Sequence, residues 1–477
     1  MTSFGGVLLF FMQMFLMFVP ALVRAAFAHR SAVVLGTVSA GLSLIQMLAL
    51  LFAYATDHCH ARLGRRRPFV LGGSALVLAG AGGFVAALWR GAAAAAASRA
   101  RLWTAVGSLY VAGVGVMLAV PAAQALILDV VPHRRAGAAS GLFAFWTSGG
   151  GMLALVLIAL GVAPRTVALA LAAFTLASAT ITSLTVHETP LAPREHSKEG
   201  SGVEGGDYSS SSSSSRGNHC NGCRAFCASY AFSPRRHVDF TLLIVQLLLS
   251  SFSMCASQYL QYWLVDIVAD PDHVRTASWL TLVMTGVVFV SAPLVGAAAD
   301  ASHRPHLVLM LGMALGAGSC LAWALVRSTA ALYAVMAVMG LAVACKQTCG
   351  MQIAMAVLPT RARAAQFMSE FQTALSLAQL VCGQLFGAIL EFFAIPSAAS
   401  SSSSLSLSES FLEPESSVFG IAPKYTHLGY QVVFGICVAC ELLAMLIVAF
   451  IRVDRGMRAQ FNEVERPLLA DSPSINS

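Results

Sequence analysis

Twelve long apolar stretches constrain the fold of this chain more than any other feature of its sequence. An α-helix needs about 20 residues to cross a hydrocarbon core of about 30 Å. The stretches lie at residues 4–23, 32–55, 69–89, 102–128, 138–162, 166–187, 240–268, 274–298, 306–327, 329–357, 364–393 and 428–451. Because lipid offers no partner for the backbone groups of an open strand, we expect all twelve to be helices, and we number them span 1 to span 12.

Composition excludes a soluble protein. Of 477 residues, 57% are hydrophobic and only 11% are charged, whereas soluble domains average about 25% charged residues. The net charge of +7 does not indicate nucleic-acid binding, because the basic residues lie between the apolar stretches and not along one face. The predicted fold class is therefore an all-α polytopic membrane protein whose surrounding partner is a lipid bilayer.

The distribution of Lys and Arg predicts the orientation. With both termini inside, 19 basic residues fall in inner segments, 9 fall in outer segments, and Lys346 lies within a span. This excess predicts cytosolic termini by the positive-inside rule. The choice between the plasma membrane and an organelle membrane stays open.

A polar interruption divides the chain into four predicted regions. They are an N-terminal six-helix bundle (1–187), a cytosolic Ser-rich linker (188–238), a C-terminal six-helix bundle (239–451) and a cytosolic tail (452–477). The linker sequence cannot bury a core. Each half repeats a small residue followed four positions later by Asp, at Ala53–Asp57 and Gly296–Asp300, which is weak symmetry of the kind expected for a duplicated transporter.

The loop after span 2 carries the sharpest local pattern. Asp57 is followed by Arg62, Gly64 and the run Arg65–Arg67 before Pro68. The carboxylate can pair with the guanidinium groups or with a helix N-terminus, and such contacts can hold two bundles together in one state. The alternative is that Arg65–Arg67 only anchor the inner face of the membrane.

This loop resembles that of the major facilitator superfamily, and its Arg-Arg-Arg-Pro-Phe form is similar to the plant sucrose transporters and their animal relatives in the glycoside-pentoside-hexuronide:cation symporter group. Asp129 with Arg134 and Arg135, and the run Gly149–Gly151, resemble further motifs of the superfamily. The resemblance implies two six-helix bundles and proton-coupled sugar transport. The gating residues that it implies are Asp57, Arg62, Gly64, Arg65, Arg66, Arg67, Asp129, Arg134, Arg135, Asp300 and Arg304.

The chain also departs from these relatives. Gln124 stands where plant sucrose transporters carry an Arg, and residues 1–23 contain no acid where animal relatives tend to carry one. The second loop keeps Asp300 and Arg304 but has lost the Gly-Arg-Arg sequence. These differences affect the sugar site and the position of proton coupling.

Ionisable residues inside spans are costly in a membrane and are functional hypotheses by default. Lys346 lies near the middle of span 10, and its expected partners are Glu370 in span 11 and Glu441 in span 12. Two interpretations stay open. The group is either a structural ion pair between helices, or a cation that faces a central cavity and binds substrate or responds to a proton.

Polar and aromatic residues supply candidate solute contacts. Asp266, near the outer end of span 7, resembles a carboxylate of the family's seventh helix, and the alternative is an interfacial aspartate in an aromatic belt. The residues assigned to substrate or proton binding are Gln124, Gln258, Tyr262, Asp266, Lys346, Gln347, Glu370 and Glu441. Any one of the glutamines can instead serve as an interhelical hydrogen bond.

No sequence signature predicts an enzyme, a cofactor or a nucleotide-driven pump. His219, Cys220, Cys223 and Cys227 form one cluster, for which zinc binding, palmitoylation and no special role stay open, and no metal site is assigned. The sequence thus predicts a secondary transporter of a small polar solute, a proton-coupled sugar first. The alternatives are a carrier of a small organic anion attracted by Lys346, and a transport-inactive scaffold or sensor of the same fold.

Overall fold

The structure is a computed structural model that describes residues 3–27, 31–57, 59, 66–89, 95–130, 136–185, 237–302, 304–357, 364–395 and 425–451. Within these ranges, twelve helical segments are long and apolar enough to cross a membrane. The prediction of an all-α polytopic membrane protein with twelve spans is therefore confirmed. The Cys220–Cys227 cluster, the predicted tail and all of the predicted linker except His237 and Val238 lie outside the described residues.

The helices follow the predicted apolar stretches closely. The first six spans are Ser3–Ala26, Ser31–Met47 continued by Ala49–Asp57, Arg67–Trp89, Ala95–Val130, Ala136–Ala159 and Pro164–Thr185. The second six begin with Val238–Ala256, which continues as irregular helix to Val268, and proceed as His273–Ser302, Pro305–Leu325, Thr329–Val357, Ala364–Phe392 and His427–Val448. Span 4 begins earlier than predicted because an alanine-rich sequence of high helix propensity precedes it.

Helix packing repeats between the two halves of the chain. Span 1 packs on spans 5 and 6, and span 7 packs on spans 11 and 12; span 3 packs on spans 4 and 6, and span 9 packs on spans 10 and 12. Between the halves, span 2 packs on span 11 and span 5 packs on span 8. A shift of six spans interchanges these two contacts, so the halves are related by an approximate two-fold axis.

Glycine permits the closest approaches between the halves. A Cβ on Gly36 of span 2 would collide with the Gly383 carbonyl oxygen of span 11, and a Cβ on Gly141 of span 5 would lie 3.0 Å from the Ala292 carbonyl oxygen of span 8. Small residues let membrane helices pack backbone to backbone. Both symmetry-related contacts therefore depend on a missing side chain.

Span 7 is interrupted, although the sequence predicts one continuous helix over 240–268. The α-helix ends at Ala256, a 3₁₀ turn covers Ser257–Tyr259, and a π-helical turn covers Leu264–Val268. No Pro or Gly occurs in residues 257–268, so the interruption has no sequence signal. Breaks of this type are frequent at functional sites. Spans 1 and 7 end on the same side of the bundle, which we call the Arg24 end. We call the opposite side, where these two spans begin, the terminal end.

Candidate functional site

An ion pair joins the two halves at the Arg24 end. Arg24 of span 1 donates through Nη2 to Oδ1 of Asp266 in span 7 at 2.9 Å, with side-chain exposures of 12% and 0%. The second carboxylate oxygen of Asp266 accepts a hydrogen bond of 2.7 Å from the Tyr430 hydroxyl of span 12. We call Arg24, Asp266 and Tyr430 the Arg24 cluster. A paired and hydrogen-bonded charge can be buried where a single charge cannot.

Two tyrosines extend this contact. The Arg24 guanidinium carbon lies 5.1 Å from the centre of the Tyr262 ring, in a cation–π arrangement. The Tyr262 ring stacks on Tyr425, whose hydroxyl oxygen accepts a 3.2 Å hydrogen bond from the backbone N–H of Ala32 in span 2. Burial raises the pKa of Tyr425, so its hydroxyl stays protonated and can donate to Glu391. Together these contacts form a second connection between the two halves at the Arg24 end.

A third contact between the halves at the Arg24 end depends on a proline in span 1. Pro20 has no N–H, so it leaves the carbonyl of Leu16 in span 1 without its usual helical donor. The side-chain amide of Gln261 in span 7 donates to the carbonyl oxygens of Leu16 at 3.3 Å and Met17 at 2.9 Å. The second half therefore supplies a hydrogen bond that the first half's own helix cannot make.

A hydroxyl and an amide join the halves near the middle of span 2, and two more buried amides lie in spans 1 and 7. Ser376 of span 11 donates to Oε1 of Gln46 in span 2 at 3.0 Å. Buried Oε1 atoms of Gln13 in span 1 and Gln258 in span 7 have no hydrogen-bond partner within the described part of the chain. Because buried amide oxygens are nearly always hydrogen-bonded, these two acceptors suit a ligand hydroxyl. Gln258 lies in the interrupted part of span 7.

A second buried ion pair lies inside the second half. Lys346 of span 10 donates to Oε1 of Glu441 in span 12 at 2.6 Å, and the Ser253 hydroxyl of span 7 donates to the same oxygen. Glu441 is fully buried and the Lys346 side chain is 10% exposed. A Cβ on Gly316 of span 9 would lie 3.3 Å from the Lys346 ammonium nitrogen, so four helices enclose the group. We call Ser253, Lys346 and Glu441 the Lys346 triad.

This geometry bears on the two interpretations of Lys346. Its expected partner Glu441 neutralises the ammonium inside the second half. Glu370, the other expected partner, makes no hydrogen bond or ion pair with Lys346 among the described residues, and its Oε2 is buried without a partner. Gln347, the next residue after Lys346, is exposed, and Gln124 is 9% exposed.

The loop after span 2 is only partly described. Asp57 ends the second helix of span 2, Arg66 is buried, and Arg67 begins span 3. Asp129 lies in the last turn of span 4. The expected gating residues Arg62, Gly64, Arg65, Arg134 and Arg135, and the side chains of Asp57 and Asp129, lie outside the described part of the structure.

One contact of the corresponding carboxylate in the second half is described. Asp300, near the terminal end of span 8, accepts a 2.8 Å hydrogen bond from Nε2 of Gln352 in span 10. Arg304 is exposed and precedes the first turn of span 9. The carboxylate thus bonds to an amide of its own half.

Sequence reasoning missed Arg24, Tyr430 and Ser253 as site residues. Arg24 was an available signal, since it is a cation at the end of the first apolar stretch, but a cation is also common where a helix leaves the membrane. Tyr430 and Ser253 carried no signal, because a hydroxyl in an apolar helix usually bonds to its own backbone. Their roles come from contacts between residues far apart in sequence.

A comparison with protein-family models finds one match. The model described as Major Facilitator Superfamily matches residues 1–155, which include the first four spans and most of span 5. No curated protein matches the sequence.

Several solved structures have a similar fold. The human organic anion transporter MFSD10 (TETRAN) aligns with a TM-score of 0.61 and 14% identity, over 94% of this chain and 98% of that one. A mutant of the nucleoside transporter NupG aligns with a TM-score of 0.57 and 13% identity, over 94% and 100%. The Major Facilitator Superfamily transporter FucP, in the outward conformation, aligns with a TM-score of 0.56 and 13% identity, over 94% and 98%. The chain therefore has the major facilitator fold.

Proposed function

We propose that this protein is a secondary transporter that moves a small polar solute across a membrane by alternating access. The observation that carries the proposal is the Arg24 cluster, in which a cation of the first half and an anion of the second half close one end of the bundle. Charged contacts between rocking halves form in one state and break in the other. The family-model match and the transporter neighbours support this proposal.

The basic residues support an orientation with cytosolic termini. In that orientation the Arg24 end faces away from the cytosol, and the Ser-rich segment 188–238 links the halves on the cytosolic side. Opening at the cytosolic end would then involve the loop that carries Asp57 and the Arg65–Arg67 run. The halves correspond to residues 1–187 and 239–451.

The proposed cargo is neutral and rich in hydroxyl groups, with a sugar as the first candidate. Hydroxyls can donate to the unpartnered acceptors of Gln13 and Gln258. An organic anion is less well supported, because Asp266 neutralises Arg24 and Glu441 neutralises Lys346. The neighbours named as nucleoside and organic anion transporters show that the fold accepts several cargo classes. Proton coupling is part of the proposal, because buried carboxylates are present to carry the proton.

Counterflow in proteoliposomes tests the proposal without assuming any coupling ion. Vesicles loaded with an unlabelled saccharide and diluted into the same labelled saccharide should show transient label uptake above protein-free vesicles. Sucrose, maltose, glucose and fucose form the first panel, with adenosine and succinate as representatives of the other cargo classes. Uptake of a saccharide supports the proposal. Exchange of succinate alone would replace the cargo class, and a folded protein that exchanges none of these solutes would favour a transport-inactive scaffold.

A further inference from the structure

We propose that Glu441 is the group that takes up the transported proton, and that its protonation acts on the Arg24 cluster through spans 7 and 12. This inference rests on the proposed transport function and deepens it. It places the proton site inside the second half and not at the ion pair between the halves.

The bonding of Glu441 leaves one oxygen free for a proton. Oε1 accepts hydrogen bonds from Lys346 and Ser253, whereas Oε2 is buried and has no partner within the described residues. Proton uptake adds H⁺ to Oε2 and converts the carboxylate to a carboxylic acid, while Lys346 stays an ammonium. The site therefore changes from net neutral to a net charge of +1.

Asp266 is a poorer proton acceptor by the same reasoning. Both of its carboxylate oxygens accept hydrogen bonds, one from Arg24 and one from Tyr430. Asp266 therefore has no carboxylate oxygen left without a hydrogen bond, whereas Oε2 of Glu441 has no partner within the described residues. The Arg24 cluster is thus suited to be a contact that breaks, and the Lys346 triad is suited to be a site that titrates.

Among the described groups that surround Glu441, Lys346 is the one that carries a charge. Span 7 presents the Ser253 hydroxyl, span 9 presents the backbone of Gly316, and span 10 presents Lys346. The ionisable neighbours in these surroundings are thiols, Cys440 beside Glu441 and Cys345 beside Lys346. Thiols are neutral over the range in which a carboxylate gains its proton, so the local charge is decided by Glu441.

Two helices join the triad to the Arg24 cluster. Span 7 carries Ser253 and Asp266, and span 12 carries Glu441 and Tyr430. Glu441 lies eleven positions after Tyr430, which is a distance of about 16 Å along a helix. The interrupted segment 257–268 lies between Ser253 and the end of span 7, so a displacement at the triad can change the angle at which Asp266 meets Arg24.

Protonation gives that displacement a cause. A carboxylic acid no longer compensates the charge of Lys346, and an uncompensated ammonium inside a membrane is costly. The favoured arrangement is then one in which spans 7, 10 and 12 shift and Lys346 reaches water. Because Asp266 lies in span 7 and Tyr430 lies in span 12, the same shift weakens the contacts of the Arg24 cluster.

The test compares Glu441→Gln with the wild-type chain in two assays on the same proteoliposomes. One is counterflow of labelled sucrose at equal pH, and the other is sucrose accumulation driven by an imposed pH gradient, with pyranine inside the vesicles to follow protons. Glu441→Gln should keep counterflow and lose gradient-driven accumulation and proton uptake by about ten-fold or more. Asp272→Asn, in the exposed loop after span 7, is the matched control and should behave as wild type.

Three results would overturn the proposal. If gradient-driven accumulation survives in Glu441→Gln, Glu441 does not carry the transported proton, and the proposed transport function stays intact. Wild-type counterflow without any proton-driven accumulation has the same meaning. Absence of wild-type counterflow with every solute of the panel, adenosine and succinate included, removes the proposed function and this inference together. If Glu441→Gln does not fold, the paired variant Lys346→Met/Glu441→Gln removes both buried charges, and the same loss of proton drive is expected.

Discussion

Gln261 donates a hydrogen bond to the Leu16 carbonyl oxygen across the boundary between the two halves, at 3.3 Å. The acceptor is available because Pro20, four residues later in span 1, has no N–H to donate. A helix defect in one half is therefore satisfied by an amide of the other half.

Replacing Gln261 should destabilise the state in which the Arg24 end is closed. We expect Gln261→Ala to cost the closed state about 1–2 kcal/mol, since a buried carbonyl loses its donor. In a Pro20→Ala background the cost should be smaller, because residue 20 then donates to Leu16 itself. A double-mutant cycle on the closed population measures the difference. Equal costs in the two backgrounds would contradict the link between Pro20 and Gln261.

Removing Arg24 should open the Arg24 end. Arg24→Ala leaves Asp266 buried without its counter-charge, an effect of about 3–5 kcal/mol where a buried pair is broken. Ser31, at this end of span 2, is fully buried, so a Ser31→Cys probe should react faster with a membrane-impermeant maleimide when Arg24 is absent. Arg165→Ala, at an exposed position of span 6, is the control. Unchanged reactivity in Arg24→Ala would show that the ion pair does not hold this end closed.

The contact between spans 2 and 11 should not tolerate a side chain at Gly36. Gly36→Val places methyl groups against the Gly383 backbone, and backbone cannot rotate away as a flexible side chain can. The Ser31→Cys probe should again react faster. Gly82→Val in span 3, where a Cβ meets no atom within 4 Å, should leave the reactivity unchanged. If the two variants behave alike, close packing of spans 2 and 11 is not needed for closure.

The Lys346 triad should show strong non-additivity in stability. Lys346→Met alone leaves Glu441 charged and buried, with an expected cost of about 3–5 kcal/mol, whereas Lys346→Met/Glu441→Gln removes both charges and should recover most of it. Thermal unfolding of the purified protein in detergent measures the effect. A double variant less stable than Lys346→Met would show that Lys346 and Glu441 do not depend on each other.

Some features of the fold and of the candidate site could be predicted from the sequence, and others could not. The twelve spans were predictable because membrane thickness fixes their length and apolarity, and Lys346 with Glu441 was predictable because a buried cation in lipid requires a carboxylate. The Arg24–Asp266 pair was not, since its members are 242 residues apart and each also fits a position at the membrane boundary. The interruption of span 7 was not predictable either, because no Pro or Gly marks it and the cause lies in contacts with other spans.

Distances between the halves test the account most directly. Spin labels are attached to genetically encoded non-canonical amino acids at four exposed positions. Labels at Thr166 and Ser328 report on the Arg24 end, and labels at Leu184 and Phe450 report on the terminal end. On passing from wild type to Arg24→Ala, the first distance should lengthen and the second should shorten, because rocking about a shared centre opens one end as it closes the other. Two distances that lengthen together, or that both stay fixed while the Ser31→Cys probe becomes reactive, would contradict alternating access by the two halves.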